Sequence, residues 1–83
     1  MEARIQQATD QRLAKTLGAM IRSARRKQGL NLQQLSRLSG IGIATLSHLE
    51  NGNRDVKLST IERAFDALQL TLADSHSIRF DND

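Results

Sequence analysis

The residues best placed to do chemistry lie between Gly29 and Arg54. Ser47 and His48 bring to mind a nucleophile and its base, but adjacent positions on a helix point about 100° apart, so the two cannot act as a pair. The chain has no cysteine, and its two histidines, His48 and His76, are far apart in sequence. Disulfides and thiolate metal sites are therefore excluded, and a zinc site is not expected. No glycine-rich phosphate loop and no paired carboxylates stand out, so neither a cofactor nor an enzyme is expected. Phe65 and Phe80 are the only aromatic residues, too few for the stacking platform that single strands or RNA require. What remains is a run of small and polar side chains, Ala44, Thr45, Ser47, His48 and Asn51. Small residues admit a backbone into a major groove, and polar ones meet base edges and phosphates there.

Those side chains need elements to hold them. Asp10 is the expected N-cap of a first helix over about 10–28, with Leu13, Leu17, Met20, Ile21 and Ala24 on one stripe at a 3.6-residue period. Lys15, Arg22 and Arg26 fall on its opposite side. Asn31 is expected to cap a second helix over 32–39, with Leu35 inward. Gly40-Ile41-Gly42 hinges it to a third helix over about 43–51, which Gly52 stops. Two helices joined by a short glycine-containing turn form the helix-turn-helix, whose second helix enters the major groove of DNA. After a loop over 53–57, Leu58, Ile61, Phe65 and Leu68 space out a core face for a fourth helix over 58–69. Leu70-Thr71-Leu72 and Ser77-Ile78-Arg79-Phe80 then alternate apolar and polar. They fit a small hairpin, one strand that pairs across two subunits, or a frayed tail.

The third helix has two readable faces. With Leu46 at the centre of the buried side, Leu49 lies about 60° one way and Glu50 about 40° the other. Ala44, His48 and Asn51 then point outward, with Thr45 and Ser47 on the flanks. A carboxylate turned inward needs a partner, because an unpaired buried charge costs several kcal/mol. Arg25, at the edge of the first helix's buried stripe, is the expected partner. The Arg25–Glu50 pair would set the angle of the third helix.

At 83 residues the chain is expected to be one domain, small enough that pairing with a second copy would add useful burial. Residues 1–73 carry 11 Lys/Arg against 6 Asp/Glu, a net of +5, and residues 74–83 carry one against three, a net of −2. A basic body suits a polyanion. The expected organisation is an N-terminal arm or helix extension over 1–9, a domain over 10–73 and an acidic tail over 74–83. No apolar run reaches the length of a membrane span or signal core, so a soluble cytoplasmic, nucleoid-associated protein is expected.

Residues from about 17 to 70 resemble the phage repressor/Cro-type helix-turn-helix family, often called the XRE family. The resemblance runs through Leu17-Gly18, Ile21-Arg22, Arg25, Gly29-Leu30, Leu35, Gly40-Ile41, Leu46-Ser47, Leu49-Glu50-Asn51-Gly52 and Arg54, then Ile61 and Ala67-Leu68. It implies an all-α, lambda-repressor-like bundle of four or five helices that binds operator DNA as a dimer. Ala44-Thr45-Leu46-Ser47, residues 54–61 and residues 67–72 look most like HipB-type antitoxins. In that branch the last helix runs into a short C-terminal β-strand at the dimer interface. By position, the resemblance implies that Ile43, Ala44, Ser47 and His48 face bases, and that Thr45, Asn51 and Asn53 hold phosphates. It places Arg54 near the backbone or minor groove, and Gln33 at a helix start that docks on a phosphate.

Some positions depart from the family. Leu32 replaces a glutamine that touches the DNA backbone, Gly42 replaces a side-chain cap, and Ile43 stands where a bidentate reader is usual. Direct readout would then rest on thymine-methyl contacts by Ile43 or Ala44 and a hydrogen bond from His48 or Ser47, with more left to DNA shape. Leu38, usually polar, is read as a flank of the core, with a partner-protein contact as the alternative. His48 is read as a neutral hydrogen-bonding group, with a pH-sensing role as the alternative. The function expected is a homodimeric repressor on a palindromic operator, acting as the antitoxin of a toxin–antitoxin pair with a HipA-type kinase toxin. The alternative is a phage or restriction-system regulator with no toxin partner.

Overall fold

The computed structural model describes residues 2–53 and 55–71, with side chains described from Gln11 onward. Four helices make up the fold: α1 (Glu2–Lys27), α2 (Leu32–Ser39), α3 (Ile43–Glu50) and α4 (Leu58–Leu68). Among the described residues there is no strand. The all-α bundle expected from the sequence is therefore the fold. Leu70 and Thr71 are not in a strand; Leu72, the second alternation over 77–80 and the acidic tail lie outside the described residues.

One side chain from each helix meets at the centre. Ile21, Leu35, Leu46 and Leu68 are fully buried, ringed by Leu17, Ile41, Leu49, Ala64 and Phe65. Each such burial is worth about 1.5–3 kcal/mol relative to exposure. Ile41 plugs the α2–α3 turn into this core, so the hinge is anchored as well as bent.

The helix ends follow from local chemistry. Asn31 and Gln34 form a reciprocal capping box: Gln34 N donates to Asn31 Oδ1 at 2.7 Å, and Asn31 N donates to Gln34 Oε1 at 2.8 Å. At the end of α3, Asn53 N donates to the His48 carbonyl at 2.9 Å and Gly52 N to the Leu49 carbonyl at 3.1 Å. That closure needs a left-handed residue, and Gly52 supplies it at φ +81°. At the end of α4 the same role falls to Gln69 at φ +61°, with Leu70 N donating to the Phe65 carbonyl at 2.8 Å. Gln28 Nε2 reaches across from the end of α1 to the Leu68 carbonyl at 2.9 Å, tying the two helix ends together.

Four expectations are corrected. Asp10 is not an N-cap; α1 starts at Glu2, and the N-terminal stretch is a helix extension rather than an arm. Glu2 to Thr9 contains no Gly or Pro and is rich in Ala, Gln, Glu and Arg, so nothing in it halts the helix. Leu13 is 48% exposed and Leu58 68% exposed, although both lie on the apolar stripes of their helices. Those stripes run past the edge of the bundle, where no described residue covers them. Leu38 is 61% exposed, not a flank of the core, because α2 buries only the narrow side around Leu35. Leu32, by contrast, packs against the core.

Gly18 is where α1 crosses the end of α3. A Cβ there would run into the backbone oxygen of Leu49 and press on the Glu50 carbonyl. Gly18→Ala is therefore expected to destabilise the fold by about 1–3 kcal/mol, despite alanine's better helix propensity. Urea unfolding followed by circular dichroism checks this; an unchanged midpoint would mean that the two helices can simply move apart.

Candidate nucleic-acid interface

The orientation of α3 is set by what it hides. Leu46 and Leu49 are buried, and the Glu50 side chain is only 2% exposed. Its carboxylate is met by a guanidinium fork from α1: Arg25 Nε donates to Oε2 at 2.7 Å and Nη2 to Oε1 at 3.0 Å. The remaining Arg25 nitrogen, Nη1, donates to the Leu30 carbonyl at 2.8 Å, just past the end of α1. Hydrogen bonding to Glu50 raises the Arg25 pKa above its ordinary value; burial opposes this and the Glu50 charge adds to it. The structure thus brings Arg25 and Glu50 together as a bidentate pair, two donors meeting the two carboxylate oxygens.

Arg22 corrects the sequence reading, which put it on the outer side of its helix. Its Nε donates to Glu50 Oε1 at 3.3 Å, and its Nη2 donates to Asn51 Oδ1 at 2.9 Å. It stands one turn before Arg25 on the side of α1 that borders α3, and its length carries the guanidinium across the gap. The three-residue spacing puts Arg22 and Arg25 on adjoining rows of α1, but spacing alone does not say that both reach across to α3.

The opposite side of α3 is offered outward. Ile43 is 47% exposed; Ala44, His48 and Asn51 are exposed, and Thr45 and Ser47 are half-buried on the flanks. With Asn51 Oδ1 occupied by Arg22, the group left for a ligand is its NH2, a donor suited to a phosphate oxygen. Asn53 is exposed, and its Oδ1 accepts from Asp55 N at 2.8 Å, which likewise leaves an NH2. Thr45, His48 and Asn53 share the wall of a shallow pocket with Lys57, a cation the sequence reading did not count among its site residues. Asp55 lines the same pocket and places one negative charge at its edge. Gln33 is exposed in the first turn of α2. Arg54 lies outside the described residues.

A short helix pinned from behind and presenting small polar groups, set after a tight turn from α2, is the geometry of a DNA-reading unit. The family model for the helix-turn-helix domain matches residues 16–76. The chain belongs to the helix-turn-helix domain family. No curated protein and no solved structure matches the chain. The helix-turn-helix match makes this a DNA-binding domain of a kind that is typically not catalytic, with α2 and α3 as its two signature helices. The first fourteen residues of α1 precede the match, so the N-terminal half of that helix is an addition to the helix-turn-helix unit. Among the described residues, no helix is long and apolar enough to cross a membrane, and no three His, Cys, Asp or Glu side chains gather as a metal site.

The Arg22–Asn51 contact gives a test of how this helix-turn-helix holds its DNA. Replacing Arg22 with methionine frees the Asn51 amide to rotate, and duplex affinity is expected to fall about tenfold. Asn51→Ala should cause a similar loss, and the double variant little more than either single one. Equilibrium titration of a labelled duplex measures the cycle; additive losses would show that Arg22 does not act through Asn51.

Proposed function

We propose that the chain is a sequence-specific transcriptional repressor that binds an inverted-repeat operator as a homodimer. The observation that carries this reading is the division of α3 into a hidden side, clamped through Glu50 to Arg25 and Arg22, and an outward face of Ile43, Ala44, Ser47 and His48. Those four residues read bases. Thr45, Asn51, Asn53 and Arg54 hold phosphates, and Gln33 brings the start of α2 against the backbone. Two copies of α3 enter successive major grooves about 34 Å apart on one side of the duplex.

Base readers and backbone holders differ in a measurable way. His48→Ala should change preference at one operator position, whereas Arg54→Ala should weaken binding to operator and scrambled duplex alike. A gel shift on the DNA upstream of its own gene, with a scrambled competitor, provides the assay. Equal losses on both duplexes for both variants would contradict the assignment.

Within this reading, the chain is the antitoxin of a toxin–antitoxin pair that regulates its own operon and holds a HipA-type kinase toxin. The similarity of residues 44–47, 54–61 and 67–72 to HipB-type antitoxins supports this. So does Leu38, which stands 61% exposed on α2, away from the core, as a contact for a protein partner. Co-purification with the product of the adjoining reading frame, lost on Leu38→Glu, is the expected result. A chain that binds its operator and retains no such product would instead be a phage or restriction-type regulator.

A further inference from the structure

Between Gln11 and Lys27, α1 carries six cations, Arg12, Lys15, Arg22, Arg25, Arg26 and Lys27, and no carboxylate. Four of the six have a reason in the fold. Arg22 and Arg25 hold Glu50, while Arg26 and Lys27 sit in the last turn, where positive charge suits the negative end of a helix. Arg12 and Lys15 stand mid-helix and exposed, and among the described side chains neither is ion-paired. Like charges three residues apart repel on a helix surface, so the two weaken α1 unless something anionic lies against them. Both precede residue 16, in the half of α1 that the helix-turn-helix match leaves out.

Their position relative to α3 says what that anion is. A Cβ at Gly52 would run into the Lys15 Cα and Cγ, so the Lys15 stem lies across the end of α3. Two turns further along the same side of α1, Arg22 Nη2 donates to Asn51 Oδ1 at 2.9 Å. Lys15 and Arg22 thus bracket the end of α3, with the Asn51 amide between them. Asn53, the next amide in the chain, lines one hollow with His48 and another with Leu13 and Ala14 of α1. The two lone cations therefore adjoin the groups that hold phosphates in the operator reading. We infer that Arg12 and Lys15 form a second phosphate-holding surface, with which the added half of α1 grips the DNA backbone beside the groove that α3 reads. This deepens the operator reading, on which its placement rests. It adds two backbone contacts in each subunit to those of Arg54 and Lys57.

Titration of labelled duplexes with the full chain at about 50 mM salt tests it. Arg12→Gln combined with Lys15→Gln is expected to weaken binding at least about tenfold, equally on operator and scrambled duplex, because phosphates carry no sequence. Lys27→Gln combined with Arg63→Gln removes the same charge elsewhere. Lys27 lies about 120° around α1 from Lys15, and Arg63 is exposed on α4. That control should change affinity less than about threefold. Glutamine is a good helix former and all four positions are exposed, so both proteins should keep their circular dichroism.

Contact itself is read on a chain that has no cysteine of its own. A DNA-cleaving iron chelate attached at Lys15→Cys should cut the backbone of a bound duplex, and the same chelate at Arg63→Cys should leave it whole. An Arg12/Lys15 variant that binds as the control does, or a chelate at position 15 that cuts nothing, overturns the inference. Preference for the operator is scored separately. Cutting from position 15 in a wild type that binds operator and scrambled duplex alike keeps the phosphate surface and removes the repressor reading. A wild type that prefers the operator, with the Arg12/Lys15 variant equal to the control, does the reverse. A wild type that binds no duplex at this salt removes both.

Discussion

Glu50→Ala is expected to cost about 3–5 kcal/mol of unfolding free energy, because it leaves the Arg25 guanidinium, 12% exposed, without its carboxylate. A domain of this size has roughly 5–10 kcal/mol in all, so the variant should be partly unfolded at 37 °C. The reverse deletion is expected to be milder. In Arg25→Ala, Glu50 keeps the Arg22 contact at 3.3 Å, and Arg22 reaches solvent from 40% exposure. Arg25→Lys keeps the charge but loses both the bidentate fork and the bond to the Leu30 carbonyl, so it should not rescue. Replacing both partners, as Arg25→Met with Glu50→Leu, removes the need for a buried pair and is expected to recover most of the stability. If the clamp exists to aim α3, that stable double variant should still bind duplex DNA poorly. Denaturant unfolding and duplex titration on the four proteins separate the two roles. A double variant with wild-type affinity would reduce the clamp to a packing device.

Duplex affinity is expected to collapse with salt. Arg54 and Lys57 follow the outward face in the chain, and one phosphate for each gives about four for two subunits. The slope they contribute to log K against log salt is then about −4, or a loss of about 150-fold between 50 and 200 mM. A single subunit would give about half that slope, so the same experiment reports how many copies bind. Lys57→Ala should reduce the slope by about 2 in the two-copy complex and leave sequence preference alone. A slope near zero on operator DNA would sink the phosphate assignments. A steep slope with no preference between operator and scrambled DNA would sink the base-reading ones instead.

Glu50 and Arg22 mark how far the sequence could be followed. An acid at a wheel position beside Leu46 and Leu49 has one cheap solution, a buried cation, and Arg25 was the one within reach. Arg22 carries the same chemistry, yet its wheel position read as solvent. A helical wheel treats neighbours as absent, and only the crossing of α1 over α3, allowed by Gly18, brings Arg22 across to Glu50 and Asn51. Lys57 lies in a loop, where no periodicity assigns a face, and so it went uncounted.

The apolar stripes show the same division. Periodicity placed Leu13 and Leu58 on the correct sides of their helices, but a stripe does not say where the neighbouring helix ends. By itself the sequence determined the elements that depend on near neighbours: the Asn31 cap, the Gly40-Ile41-Gly42 turn, the Gly52 stop and the inward direction of Leu35, Leu46, Leu49 and Glu50. These rest on backbone dihedrals, cap hydrogen bonds and a 3.6-residue period, all set within a few residues. Tertiary structure alone decided that α1 and α4 overrun their core and leave a groove, and that Arg22 joins the clamp. Those outcomes depend on distances between segments remote in the chain, and local chemistry carries no measure of them.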